Sequence, residues 1–350
     1  MRKRTFLRIT PYSLLPRCYN AMREACPALR WGRRTIVQIG VNGSRITVEG
    51  VPTFLLGASY FAALGAPDEF ILWDLSELRE LGFNWVRVWA TWGAFDDNVS
   101  AVTARGEAQE PYLTRLKRLC ATTAELGFIL DVTVSRGDGL TGASFLRDAE
   151  AHLRAVSELT RALKPYRHVY FDLASESNLT DARHVPVAEL RQLRERCRLL
   201  DPGRLVAVSH CGDIGAADAQ AYVQTVGADV LAPHRPRLPE SPHQTAARTV
   251  GCARLLRDLG RSAPLLHQEP FRRGFGDWQP AASDFLTDLR GAYKGGAAGW
   301  CFHSGHDSSQ PDGRPRRCFD MRPTEGRLLD QLEPEELAVL EHAGAVAHVR

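Results

Sequence analysis

The order of short and long apolar stretches constrains the fold of this 350-residue chain more than any other feature of its sequence. From residue 54 onward, a short strand-like stretch and a longer helix-like stretch alternate, and the pair recurs about every 25–45 residues. The short stretches are apolar almost throughout, which is typical of strands that are packed on both faces. The predicted strands cover Phe54–Ala58, Trp85–Trp89, Phe128–Thr133, Val169–Leu173, Leu205–Val208, Val230–Ala232, Leu265–Gln268 and Gly299–Phe302.

The stretches between these strands carry apolar residues at intervals of three and four, as one face of an amphipathic helix does. The predicted helices cover Glu69–Leu81, Leu113–Leu126, Ala149–Leu163, Val187–Leu200, Ala217–Val226, Gln244–Leu259 and Ala281–Tyr293. Residues 323–345 are predicted as a final helix, with Pro334 near its start or between two short helices. Eight strands with helical connections indicate an α/β fold, a closed (β/α)8 TIM barrel. The alternative is an open doubly wound sheet, which usually has a G-x-G-x-x-G turn after its first strand. The sequence has no such turn there.

A β-hairpin is predicted ahead of the repeat. Residues 35–52 contain two alternating runs around Asn42-Gly43, a pair that favours a tight turn with positive φ angles. We expect this hairpin to cover the N-terminal mouth of the barrel and residues 35–350 to form a single domain. Residues 1–34 are basic, with Glu24 as their only acid, and we expect them to be a poorly ordered extension outside the fold.

Charge and hydropathy narrow the range of partners. A formal net charge of +3 is too small to indicate nucleic acid or an anionic membrane as a partner. No run reaches about 18 uninterrupted apolar residues, so we expect no membrane span. Arg8, Pro11 and Pro16 interrupt any apolar core of a secretory signal, which predicts a cytoplasmic protein. The eight cysteines are widely spaced and form no CxxC, so we expect free thiols. The sequence implies no metal and no cofactor.

Two glutamates follow predicted strands. The sequence HVYFDLASESN at 168–178 describes a buried strand that ends in a polar tip containing Glu176. The sequence PLLHQEP at 264–270 has the same design, in which a short apolar strand is followed by Glu269 and then by a proline that ends the strand. Side chains just past the strand ends of a (β/α)8 barrel converge on one site. Paired carboxylates at such a site are what the cleavage of a glycosidic bond requires.

Several segments, taken in order, resemble the clan A glycoside hydrolases, and most closely the family 5, cellulase-like enzymes. VEGVPTFLLGASY at 48–60 resembles the opening of those barrels, and GFNWVRVW at 82–89 resembles their second strand, whose arginine is Arg87 here. Ser175-Glu176-Ser177 matches the family pattern Asn-Glu-Pro in the acid alone, and Glu269 matches the nucleophile of strand seven. The resemblance covers about residues 45–320. It implies a retaining enzyme that acts on a β-linked glycan or glycoside.

The resemblance implies that Glu176 is the acid/base and Glu269 the nucleophile. We expect Arg87 to lie beneath Glu269 and hold it ionised, and we expect burial and nearby negative charge to raise the pKa of Glu176. The resemblance also implies a histidine on strand six, His234, and an aromatic platform on strand eight, Trp300. The residues predicted to bind substrate combine flat apolar rings with hydrogen-bonding groups, as sugar recognition requires. They are Tyr60, Arg87, Trp89, Asn178, His210, His234, Trp300 and His303.

Two departures from the family pattern keep other functions open. Ser175 stands where the family has an asparagine that bonds the sugar 2-hydroxyl, and Thr133 stands where it has a histidine. A carbohydrate-binding barrel without catalytic activity is therefore one alternative. A metal-dependent hydrolase is another, with candidate ligands His210, His234, His267 and Glu269. A basic cluster past strands six and seven fits either a solvated rim or a site for uronic acids or sulfated sugars, and it contains Arg235, Arg237, Arg272 and Arg273.

Overall fold

The computed structural model describes residues 37–94, 97–134, 146–180, 183–305 and 317–347. The extension at 1–34 lies outside these residues, as does its expected lack of order. The first described element is a three-stranded antiparallel sheet of β1 (Ile39–Asn42), β2 (Arg45–Val48) and β3 (Val51–Pro52). The predicted hairpin is confirmed, but its turn lies one residue later than expected. Asn42 pairs with Arg45, so Gly43 and Ser44 form the turn, and Gly43 adopts a φ of 60°.

The strands that follow build a barrel. They are β4 (Leu55–Ser59), β5 (Trp85–Trp89), β6 (Gly93–Ala94), β7 (Asp97–Asn98), β8 (Ile129–Thr133), β9 (Val169–Asp172), β10 (Val206–Cys211), β11 (Val230–His234), β12 (Leu266–His267) and β13 (Gly299–Phe302). All except the short antiparallel pair β6–β7 belong to one parallel sheet, in the order β11–β10–β9–β8–β5–β4–β13–β12. A parallel bridge between Leu231 and Leu265 joins the two ends of this sheet. The predicted (β/α)8 barrel is therefore confirmed.

The helices connect the strands and pack around the barrel. They are α1 (Asp68–Glu80), α2 (Tyr112–Leu126), α3 (Ala149–Leu163), α4 (Val187–Leu200), α5 (Ala216–Gln220), α6 (Ser241–Asp258), α7 (Ala282–Gly295) and α8 (Pro334–Ala347). Local chemistry accounts for several of their ends. The Asp148 carboxylate accepts a hydrogen bond from the Ala151 backbone N–H at 2.8 Å and caps α3. Gly127 ends α2 with a φ of 77°. No helix of the described segments is both long and apolar enough to cross a membrane.

Side chains that point into the barrel form an apolar layer below a polar one. The lower layer includes Leu55, Trp85, Ile129, Tyr170 and Leu266, and Ile39 and Ile46 of the hairpin pack against it. The hairpin thus covers the N-terminal mouth, as predicted. Trp85 fills the space beside Gly57, where an added Cβ would lie 2.5 Å from the indole ring. The layer above contains Arg87, Asp131 and Asp172, all fully buried, so polar chemistry is confined to the C-terminal half of the barrel.

The cysteines of the described segments are free thiols. Cys120, Cys197, Cys252, Cys301 and Cys318 are buried, and burial raises the pKa of the Cys252 thiol to about 11. Cys211 is exposed, at the end of β10. Five of these thiols therefore act as small apolar side chains of the core.

Candidate active site

The two glutamates meet at the C-terminal mouth of the barrel. Glu176 follows β9 and Glu269 follows β12, and one carboxylate oxygen of each lies within 4.8 Å of the other and of a His234 nitrogen. Glu176 has a φ of 48°, which is unusual for a residue with a side chain. Its backbone N–H donates to the Ser209 hydroxyl of β10 at 2.9 Å. A strained backbone that is held in this way is typical of a functional position.

Arg87 lies beneath Glu269, as the sequence predicts. Its guanidinium is fully buried and donates to Glu269 Oε1. Its other nitrogens lie 3.6 Å from Asp131 and 3.4 Å from Asp172, and Nε donates to the Thr133 hydroxyl at 2.9 Å. Burial opposes the charge of Arg87, but the three carboxylates outweigh burial and raise the pKa of the guanidinium. Arg87 therefore stays charged and is the fixed cation of the barrel centre.

His234 joins the two glutamates and carries the site's exchangeable proton. Its Nε2 lies 3.2 Å from the Gln268 side-chain oxygen, whose amide nitrogen in turn donates to Asp131. Because an amide oxygen only accepts, Nε2 of His234 must carry a hydrogen. Its Nδ1 lies 3.0 Å from Glu176 Oε1. The hydrogen bond between Nδ1 and Glu176 can therefore be formed by a single proton that resides on either partner.

The surroundings place this proton on the histidine. Burial favours neutral groups, but the pKa of His234 is raised because Glu269 and Glu176 outweigh burial. The pKa of Glu176 is lowered, because its hydrogen bond to His234 outweighs burial. The expected rise in the pKa of Glu176 is therefore wrong, since that expectation left the imidazole out. The pKa of Glu269 is held well below its usual range, because His234, Arg87 and Arg237 together outweigh burial.

His303 and Trp89 line the same mouth. His303 Nδ1 bonds the Ser59 hydroxyl at 2.9 Å, and its Nε2 lies 3.5 Å from Glu269 Oε2. Burial lowers the pKa of His303 well below its ordinary value, so the ring is neutral. The Trp89 ring is 5.8 Å from the Arg87 guanidinium and belongs to an aromatic group with Phe61 and Trp92. His303 thus lies beside Glu269, and Trp89 lies beside the arginine that binds Glu269.

Tyr60 and Trp300 lie elsewhere, contrary to their predicted roles. The Tyr60 hydroxyl is fully buried and donates to Asp74 of α1 at 2.9 Å. The Trp300 indole N–H donates to Asp288 of α7 at 2.7 Å, in the layer between β13 and the helices. Trp300 is one residue before Cys301, which packs inside the barrel, so strand alternation turns the indole outward. Neither ring is available as a platform for a sugar.

Asn178 and His210 shape the rim beside Glu176. The Asn178 side chain accepts a hydrogen bond from the Cys211 backbone N–H at 2.7 Å and donates to the Cys211 carbonyl at 3.1 Å. His210 Nδ1 lies 2.8 Å from the Tyr222 hydroxyl, and burial lowers the pKa of His210. Asn178 thus fastens the loop after β9 to β10, and His210 fastens β10 to the helical segment that contains Tyr222. The structure gives both side chains a positioning role, and their direct contact with substrate stays a prediction.

Two residues at the mouth, Gln268 and Cys211, were missed as site residues, and Arg237 was assigned only to the basic cluster. Gln268 sets the tautomer of His234, and Arg237 Nη2 lies 3.0 Å from Glu269 Oε2. Cys211 is an exposed residue whose thiol is partly buried. This partial burial and the nearby charge of Glu176 raise the pKa of the thiol to about 11. Gln268 and Cys211 each come directly after a histidine whose side chain points out of the barrel, His267 and His210. Because side chains alternate along a strand, counting from these histidines would have found both residues.

The four predicted metal ligands do not all meet at the mouth. His267 Nε2 lies 2.9 Å from the Thr249 hydroxyl of α6, and His210 faces Tyr222, so neither points at Glu269. In the described segments the group with suitable spacing for an ion is Glu176, His234 and Glu269. Both oxygens of Glu269 are already bonded to guanidinium groups. A carboxylate that already pairs with two guanidinium groups is better suited to binding arginine than to binding a metal ion.

Solved structures share this architecture. A protein from Bacteroides vulgatus ATCC 8482 that is assigned to the glycoside hydrolases superposes with a TM-score of 0.66 at 14% identity, over 90% of this chain and 62% of its own. A glycoside hydrolase family 5 protein from the same organism has a TM-score of 0.66 at 12% identity, over 88% of this chain and 70% of its own. The chain thus shares the (β/α)8 barrel of these proteins.

An endo-1,4-β-mannanase from Rhizomucor miehei extends the same likeness, with a TM-score of 0.61 at 11% identity over 89% of this chain and all of its own. No protein-family model and no curated protein matches the sequence. The chain spans less than two thirds of the first Bacteroides protein. At these identities the shared feature is the barrel, and the chemistry of this chain has to be argued from its own side chains.

Proposed function

We propose that the protein is a retaining glycoside hydrolase that cleaves the O-glycosidic bond of a β-linked glycan or glycoside. The observation that carries the proposal is the separation of the two carboxylates. Oxygens of Glu176 and Glu269 approach within 4.8 Å, which is close to the roughly 5–5.5 Å of retaining enzymes. Inverting enzymes keep about 6.5–9.5 Å between the two groups, because a water molecule must fit between substrate and base.

The two glutamates differ in their supply of protons, as double displacement requires. Glu269 is ionised and held by Arg87, so it can attack the anomeric carbon and form a glycosyl-enzyme. Glu176 shares one proton with His234, and this proton can pass through Glu176 to the departing oxygen. In the second step Glu176, again an anion, takes a proton from water as the water attacks the anomeric carbon. The same pair thus serves as acid and then as base.

Replacement of Glu269 tests the proposal. The Glu269→Gln variant keeps the size of the side chain and its bond to a guanidinium, but it removes the nucleophilic oxygen. We expect turnover of activated aryl β-glycosides to fall at least about a hundredfold, the scale expected for the loss of one catalytic group. The control is Glu195→Gln on α4, which removes an exposed carboxylate that pairs with Arg191. Product analysis by NMR should show that the first sugar released keeps its β configuration.

Three results would contradict the proposal. The first is full activity in the Glu269→Gln variant, and the second is a first product of inverted configuration. The third is the absence of turnover by the natural sequence on a broad panel of aryl glycosides and polysaccharides. If the protein bound glycans in that case, with or without Glu269, the carbohydrate-binding alternative would replace the hydrolase.

A further inference from the structure

The nucleophile is covered by a second arginine that its ionisation does not require. Arg237, in the loop after β11, places Nη2 3.0 Å from Glu269 Oε2. Its side chain is 22% exposed, compared with 7% for Glu269. Arg87 already bonds the other oxygen of Glu269 from within the barrel. Of the two guanidinium groups on Glu269, that of Arg237 is therefore the one that solvent reaches, because Arg87 is fully buried.

The guanidinium of Arg237 lies over an aromatic ring and has more N–H donors than it uses. The guanidinium lies 4.6 Å from the centre of the ring of Phe275, a residue in the loop after β12. A guanidinium has five N–H donors, and in the described part of the chain Glu269 is the polar partner of Arg237. Stacking on a ring leaves the edge of the guanidinium open, which is the geometry that binds planar carboxylates or sulfates.

A third guanidinium adds positive charge to the same wall. Arg272 stacks on the Phe275 ring at 4.9 Å, and also on Phe319 at 4.9 Å. The two arginines thus share one aromatic ring at the mouth. Their positive charge also acts on His303 at the mouth. Burial is the main cause of the lowered pKa of His303, and Arg237 and Arg272 lower it further, against the opposing charge of Glu269. The wall on this side of Glu269 is therefore positively charged.

A neutral sugar would leave this charge without a counterpart. As the anomeric carbon approaches Glu269, the sugar must displace Arg237 from Glu269 or bind beside it. Displacement would give the guanidinium neutral hydroxyl acceptors in place of a carboxylate, which is costly because hydrogen bonds to a charged acceptor are stronger. A sugar with its own anionic group would offer Arg237 a carboxylate or sulfate in exchange for Glu269, and one oxygen of the nucleophile would then be free to react.

We infer that the substrate of this site is a glycan with an anionic sugar unit, a uronic acid or a sulfated sugar, bound next to Glu269 by Arg237. The inference rests on the proposed glycoside hydrolase function. It names the class of sugar, and Arg237 is the residue that selects it. Two other arginines of the basic cluster serve the fold, since Arg235 pairs with Asp213 and Arg273 with Glu333.

The experiment compares each acidic ligand with its neutral counterpart. β-Linked oligosaccharides of glucuronate, galacturonate and mannuronate are paired with their carboxyl-reduced forms, and O-sulfated oligosaccharides are paired with desulfated ones. Binding is measured by calorimetry, and hydrolysis as kcat/KM. At least one acidic member should bind and react better than its neutral counterpart by roughly ten- to a hundredfold, as expected for a charge-assisted hydrogen bond. The advantage should shrink as salt is raised, because exposed charges are screened.

Variants of Arg237 identify the residue responsible. In Arg237→Gln the acidic-to-neutral ratio should fall about tenfold or more, whereas Arg237→Lys should retain part of it. Arg254→Gln on α6, which removes an exposed arginine far from the mouth, is the control for net charge and should leave the ratio unchanged. The ratio is the quantity to follow, because Arg237 also contacts the nucleophile.

The outcomes separate this inference from the proposed function. If neutral glycosides are hydrolysed through Glu269 and no acidic ligand is preferred, the inference is wrong and the hydrolase stands. If an acidic ligand is preferred in binding but nothing is hydrolysed, the hydrolase is wrong and the anionic site stands. A preference that Arg237→Gln leaves intact would overturn the assignment to Arg237. The carboxylate and sulfate series show which anion the site prefers.

Discussion

His234 decides how the proposed acid takes up and releases its proton. Below the pKa of the His234–Glu176 pair, the two side chains share one proton between Nδ1 and the carboxylate, and above it that proton is lost and His234 keeps only the hydrogen on Nε2. The pKa of His234 is raised above its ordinary 6.5, since Glu269 and Glu176 outweigh burial. The alkaline limb of the pH profile of kcat/KM should therefore report the pair. In His234→Asn only the Glu176 carboxyl remains, so this limb should move to lower pH.

The His210→Asn variant is the matched control for that measurement. His210 bonds Tyr222 and makes no direct contact with a catalytic carboxylate, so its loss should leave the limb in place. A limb that stays or moves upward in His234→Asn would show that Glu176 titrates without the imidazole. The sequence could place His234 on strand six, but it could not show the partner of each ring nitrogen, which depends on the side chain of Gln268.

Single residues were predicted well where strand alternation and strand ends agree. Glu176, Glu269 and Arg87 were placed correctly because each is at or just past a strand that periodicity locates within a residue or two. Trp300 failed because it and His303 are three residues apart, so they face opposite sides of the strand. An apolar ring near a strand end can pack in the core or line the site. Which of the two it does depends on which side of the strand its position faces.

At the scale of elements, Asp74 ties helix α1 to the segment before α8. Its carboxylate accepts hydrogen bonds from the Tyr60 hydroxyl and from the backbone N–H groups of Leu328 and Leu329, at 2.9–3.3 Å. Burial raises its pKa to about 6, from an ordinary 3.8. The folded protein thus holds this proton more tightly than the unfolded chain. The stability that Asp74 contributes is full below pH 3.8 and declines as pH rises to about 6.

The Asp74→Asn variant should therefore show a deficit in stability that depends on pH. Relative to the natural sequence, the loss should be larger near pH 4 than near pH 7, by roughly 2–3 kcal/mol. The free energy of unfolding in urea at the two pH values measures it. Asp68→Asn, an exposed change on the same helix, should alter stability by less than about 0.5 kcal/mol at either pH. A deficit that is constant or grows with pH would contradict the burial argument.

Most helices and strands were predicted within one to three residues, because apolar periodicity and terminal glycines mark them directly. The final helix is shorter than the predicted 323–345, since α8 begins only at Pro334 and ends at Ala347. Their connections were harder to predict. The stretch predicted as the helix 217–226 is a short α5 that continues as a π-helix over Ala221–Val226, where Tyr222 bonds His210. That change of winding depends on a contact with another strand, and a local pattern cannot contain it. The polar loops that shape a site are the part that a single sequence specifies least.

Over the whole molecule, stability and chemistry occupy opposite ends of one barrel. The hairpin and the apolar layer close the N-terminal mouth, and the glutamates stand at the other end. In (β/α)8 enzymes this separation allows loops to change function without loss of the fold. The hairpin contributes no residue to the described site, so its loss should be felt in folding alone.

Ile46 offers the direct test of this separation. It is fully buried where the hairpin meets the barrel, so Ile46→Ala should lower the free energy of unfolding by about 2–5 kcal/mol. The kcat/KM measured well below the unfolding temperature should stay within about twofold of the natural sequence, since no side chain at the mouth contacts the hairpin. Val51→Ala, on the same sheet but 62% exposed, should cost less than about 0.5 kcal/mol. A large loss of kcat/KM in folded Ile46→Ala would show that the lower layer positions the charges above it, through Trp85 and Arg87.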